Sequence, residues 1–72
     1  MKSEEIKDIT LQEPNKPFTL HLADGRSIHV PTRDHLAFRG TSRALFAWDS
    51  NGKPHFLDAG LVTGITGLGG TS

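Results

Sequence analysis

The chain has 72 residues, with eight Lys or Arg, eight Asp or Glu, four His and no Cys. A chain of this length makes one small domain that buries only about 60% of its unfolded surface, so its stability is slender and a partner surface would help it. The missing cysteines exclude disulfides and thiolate-bound zinc and fit a reducing, cytoplasmic setting, while the zero net charge lacks the basic excess of a nucleic-acid binder.

The chain opens on "MKSEEIKDIT", which is charged and polar. It offers no apolar run for a signal peptide or anchor, and no later stretch approaches the ~20 apolar residues of a membrane span. Ser3 is an expected N-cap, with Glu4 and Glu5 favouring the positive end of a helix. Ile6 and Ile9 share one helical face, and Pro14 stops the pattern. The spacing predicts a short helix from Ser3 to Leu11. A helix this short is marginal alone and needs a sheet or a partner to pack on. "EPNKP", Glu13 to Pro17, is an extended linker.

Two strands follow in "FTLHLADGRSIHV", Phe18 to Val30. Phe18, Leu20 and Leu22 alternate with Thr19 and His21, and Ile28 and Val30 alternate with Ser27 and His29. Period two marks strands with one buried face. Parity then selects the turn. A two-residue loop at Asp24-Gly25 sets Leu22 against Ser27 and mixes core with polar residues on one face. A three-residue loop, Ala23-Asp24-Gly25, pairs Leu20 with Ile28 and Phe18 with Val30. That loop is a type I turn with Gly25 at a left-handed bulge position. It places His21 and His29 on the outer face.

Pro31 ends the second strand. "HLAF", His35 to Phe38, is a short strand, and "RGTS" turns at Gly40. "RALFAW", Arg43 to Trp48, is apolar on both parities and is expected as a central strand covered on both faces. "DSNGK" is a second hairpin turn, and "PHFLD", Pro54 to Asp58, returns along it. A loop of Ser50-Asn51-Gly52 pairs Phe46 with Phe56 and Leu45 with Leu57. A two-residue loop shifts that pairing by one, and both registers stay open. "LVTGI", Leu61 to Ile65, is a short closing strand. The domain is expected to span residues 1–66, with a disordered glycine-rich tail at 67–72. That tail is no phosphate loop, because it lacks the lysine and the following helix.

The chemistry-bearing residues are few. His21 and His29 are diagonal neighbours in this register, ~7 Å apart, and a metal would take a third ligand from His35, His55 or Asp34. No metal-ligand spacing motif is present, so the expectation is polar decoration, with no metal and no cofactor. "TRDH" sets Asp34 beside His35, but there is no cysteine nucleophile and no elbow around a serine. A non-catalytic protein is expected. The surplus apolar surface of "RALFAW" points to Phe46 and Trp48 as an interaction surface, with Arg39 and Arg43 beside them. Arg33, Arg39 and Arg43 are the nearest thing to a basic cluster. The partner is expected to be a second copy, as a homodimer or ring, or another protein, with an exposed strand edge pairing across the contact.

Two resemblances rest on these residues. Lys16-Pro17-Phe18, Ala23-Asp24-Gly25-Arg26 and Leu61-Val62-Thr63 resemble the pattern of a group of small uncharacterised bacterial proteins. That pattern runs from a short helix through a Pro-Phe strand and an Ala-Asp-Gly-Arg turn to a Leu-Val-Thr ending. Thr32-Arg33 stand where the group has His-Pro, and the resemblance brings no activity with it. A helix followed by "L-x-D-G-R" and about five short strands is also similar in shape to the Sm-like barrel. That resemblance implies ring assembly and RNA binding, although the glycine after the second Sm-like strand segment and the basic excess are both missing here. The fold class expected is mainly β (α+β by count), a helix on a bent antiparallel sheet or small Sm-like open barrel. Its function is that of a protein-interaction or self-associating module, with Sm-like RNA binding as the alternative.

Overall fold

The computed structural model describes residues 1–39 and 43–68. An N-terminal helix, α1 (Ser3–Gln12), precedes strands β1 (Phe18–Leu22), β2 (Ser27–Val30), β3 (Leu36–Phe38), β4 (Ala44–Trp48), β5 (Pro54–Asp58) and β6 (Val62–Thr66). Single 3-10 turns at Arg33–His35 and Ala59–Leu61 lead into β3 and β6. The strands form two antiparallel three-stranded sheets, ordered β2-β1-β6 and β3-β4-β5. The α+β class expected from the sequence is the class observed, with six described strands where about five were expected.

The helix begins one residue earlier than the capping argument places it. Lys2, with extended backbone, is the N-cap, and Ser3 is already helical and buried. The Glu5 carboxylate accepts the Lys2 backbone N–H at 3.0 Å, so the acidic first turn supplies half of a capping box. Ile6 is fully buried and Leu11, off that face, is 59% exposed. Thr10 is also fully buried. Its hydroxyl donates to the Ile6 carbonyl at 2.7 Å and accepts from Arg33 Nε at 3.2 Å, which ties α1 to the 3-10 turn before β3.

The first hairpin has the register that parity selects: Phe18 opposite Val30, Leu20 opposite Ile28, His21 opposite Ser27. Gly25 has φ +92°, and its N–H bonds the Leu22 carbonyl at 3.0 Å. Asp24 accepts from the Arg26 backbone and from Arg26 Nε, contacts that hold its carboxyl below the usual range. The second hairpin takes the three-residue loop, pairing Phe46 with Phe56 and Leu45 with Leu57, with Gly52 at φ +79°. β6 closes on β1, with a register shift between His21 and Leu22 that leaves Thr63 of β6 without a partner residue on β1.

The core lies between the two sheets. Leu20, Ile28, Val30, Val62 and Ile65 come from one sheet, Leu45, Ala47 and Leu57 from the other, with Ile6 from α1. Three expectations change. His35 belongs to the 3-10 turn, so β3 starts at Leu36. β4 is central but covered on one face only: Leu45 and Ala47 are buried, while Phe46 is 41% exposed, because α1 packs elsewhere and nothing described crosses that side. The expected tail from 67 begins too early, since Leu68 is a 4% exposed member of the core and Gly67 turns the chain toward it at φ +98°. The turn at Gly40 and the tail residues 69–72 lie outside the described residues.

Candidate interaction surface

The outer face of β3-β4-β5 follows from strand alternation. Burying Leu45 and Ala47 sends Ala44, Phe46 and Trp48 to the other side. The register then sets Phe56 directly beside Phe46 and Pro54 beside Trp48. The Phe46 and Phe56 rings are tilted at a centroid distance of 4.8 Å, and Phe46 and Trp48 stack at 6.1 Å. Phe56 is 68% exposed, and Ala37 on β3, opposite Phe46, is exposed too. Fully burying a phenylalanine is worth about 1.5–3 kcal/mol, so this row leaves much apolar free energy unrealised within one chain. Phe56 is the member that composition did not single out. The signal was present in the hairpin, because pairing it with Phe46 puts both rings on one face.

The arginines do not form one patch. Arg43 pairs with Asp58 at 3.2 Å, both side chains exposed, at the end of the aromatic face. The Gly60 backbone N–H, and next the Arg43 guanidinium, hold the Asp58 carboxyl below its usual range. Arg39 is exposed just past β3. Arg33 is drawn away to Thr10 on the helix. A surface depression of about 520 Å³ beside Arg43, lined also by Met1, Lys2, Glu4, Ala59 and Gly60, does not reach the aromatic row.

The histidines each have a local polar partner. His21 Nε2 is hydrogen-bonded to Thr66 Oγ1 at 2.8 Å and Nδ1 to Ser27 Oγ at 3.3 Å. His29 Nδ1 is bonded to Thr19 Oγ1 at 2.8 Å, and His35 Nδ1 to Thr32 Oγ1 at 3.0 Å. The carboxylate that meets a histidine is Asp49, at 3.0 Å from His55 Nε2, not Asp34. That bond, then the Lys53 backbone N–H, holds the Asp49 carboxyl below its usual range. Asp49 also accepts from the Asn51 backbone, so the pair organises the second hairpin turn. Among the described residues no three His, Asp or Glu groups converge on a metal position.

Comparison with protein-family models, with curated proteins and with solved structures finds no match to this chain. The molecule is defined by its own geometry: a small α+β domain with one helix, two antiparallel sheets and an aromatic outer face on the second. Among the described residues no helix is long and apolar enough to cross a membrane.

Proposed function

We propose that this protein is a non-catalytic, cytoplasmic interaction module whose contact surface is the outer face of β3-β4-β5. The observation that carries this reading is the contiguous row of Phe56, Phe46 and Trp48, with Phe56 68% exposed and its ring 4.8 Å from that of Phe46. Contiguous exposed aromatic surface on a small protein marks contact sites. No cofactor enters the reading. A photo-crosslinking amino acid at position 56 tests it in the cells that make the protein. Adducts with one protein species, identified by mass, are expected at position 56 and not at Leu11, which is equally open on the helix. Equal or absent adducts at the two positions would refute the reading.

A second reading, a base-stacking surface for RNA, has the same aromatic row in its favour, since bases stack on exposed rings. The charge pattern supports it less: Arg43 is paired with Asp58 and the net charge is zero. Retention on RNA that falls steeply with salt would select this reading over the first.

A further inference from the structure

We infer that the occupant of this surface is a second copy of the chain, joined by antiparallel pairing of β5 with its symmetry mate about a two-fold axis at Phe56. The inference rests on the interaction-module reading and adds the partner and the register.

The backbone sets the geometry. The β4-β5 hairpin bonds Asp49 N–H to the Lys53 carbonyl and Ala59 N–H to the Arg43 carbonyl. Antiparallel ladders alternate bonded and non-bonded pairs. The bonded pairs are therefore Ala47 with His55 and Leu45 with Leu57, and the non-bonded pairs include Phe46 with Phe56. The N–H and C=O of Phe56 accordingly point away from β4, as do those of Asp58 and the carbonyl of Pro54. Among the described residues β5 pairs with β4 alone, so this edge is open.

That edge is complementary to itself. Antiparallel pairing centred on Phe56 lets each Phe56 N–H donate to the other copy's Phe56 carbonyl. The same register sets Asp58 opposite Pro54 of the second copy, so each Asp58 N–H donates to a Pro54 carbonyl. Proline has no N–H to offer and at this position none is needed for the donated bond. Four inter-strand bonds result. The two sheets continue into one, which brings the two Phe56 rings side by side with a Phe46 behind each. The charges agree as well. The Lys53 end of one β5 meets the Asp58 end of the other, twice, and the chain's zero net charge offers no opposing repulsion. A two-fold contact of this kind closes on itself and gives a dimer, whereas pairing the β5 edge of one copy with the β3 edge of the next would be open-ended.

The absence of cysteine makes the test clean. In the proposed register the two Phe56 Cα atoms lie about 5.5 Å apart, within disulfide reach. Phe56→Cys is expected to oxidise mostly to a disulfide dimer, while Ala37→Cys on the β3 edge and Leu11→Cys on the helix remain largely monomeric. The unmodified protein is expected to scatter light with about twice the 7.8 kDa chain mass, and Phe56→Thr to fall to the single-chain mass while its near-UV spectrum stays native. A single-chain mass for the unmodified protein at every concentration would overturn the inference, as would Phe56→Cys cross-linking no faster than Leu11→Cys. Faster cross-linking at Ala37→Cys would refute the register. The photo-crosslinking result at position 56 judges the surface itself separately from any of these outcomes.

Discussion

Three glycines with different backbone states form an internal series of alanine substitutions. Gly64 sits in β6 opposite His21, with a non-left-handed φ and open space where a Cβ would go. Alanine there only narrows the unfolded ensemble and is expected to stabilise by about 0.5 kcal/mol. Gly25 also has open space but holds φ +92°, so alanine meets the left-handed penalty alone, about 1–2 kcal/mol. Gly67 combines φ +98° with contacts: a Cβ would lie 3.1 Å from the Pro17 carbonyl oxygen and 3.3 Å from Phe18 Cα, both backbone atoms with little room to give. Its cost adds about 1–3 kcal/mol of overpacking to the same strain, roughly 3 kcal/mol in all. In a domain of this size each kcal/mol moves the melting midpoint by about 4–8 °C. Thermal unfolding followed by Trp48 fluorescence should therefore order the variants Gly64→Ala above wild type, then Gly25→Ala, then Gly67→Ala lowest. A Gly25→Ala midpoint equal to wild type would refute the bulged hairpin turn. A Gly67→Ala loss no larger than that of Gly25→Ala would refute the close seat of the chain against Pro17 and Phe18.

Leu68→Ala should cost about 2–4 kcal/mol in urea unfolding, because it empties a core position; a loss under half a kcal/mol would return Leu68 to the tail. Changing His21 and His29 together to Thr should leave stability within about 1 kcal/mol and leave zinc without effect on melting, since each ring only bonds neighbouring hydroxyls. A zinc-dependent rise in the wild-type midpoint, absent from the double variant, would show a metal site. Asp49 has its folded carboxyl held down by His55 and the hairpin N–H groups, so its stabilising effect is complete above the ordinary value of about 3.8 and drains away as pH falls through the lower folded value. Asp49→Asn should make the fall in melting midpoint below about pH 4 shallower than in wild type; parallel curves would remove the carboxylate from the acid response.

Local rules carried much of this fold. Parity in a strand with one wet face admits a single hairpin register, which is why Leu20 meets Ile28 as expected. Ile6 and Pro14 bounded the helix for similarly local reasons. What required the third dimension was the division into two sheets, since β2 and β3 follow each other closely in sequence yet lie in different sheets, with the Arg33–His35 turn between them. The role of Arg33 was equally hidden: a basic residue near Arg39 and Arg43 in sequence anchors a helix through Thr10. The apolar surplus of β4 was visible, but its position on an open face depended on where α1 packs. Leu68 was obscured by its glycine neighbours, whose composition suggests a chain that cannot be ordered. One leucine with a core cavity to fill outweighs that tendency.

The pairing of the first strand with the last has a consequence for how the molecule comes into being. Each hairpin joins residues close in sequence and can form quickly, while the hydrogen bond between His21 and Thr66 links positions 45 apart. Closing that span costs chain entropy before any contact repays it. Two of the core residues on the β1 sheet, Val62 and Ile65, arrive only with β6. During synthesis the two hairpins therefore emerge as loose, unclosed pieces, and the cooperative transition waits for the final strand. A chain without β6 would display the β1 edge and the interior apolar faces to its surroundings, which makes the docking of β6 the step that separates folding from aggregation.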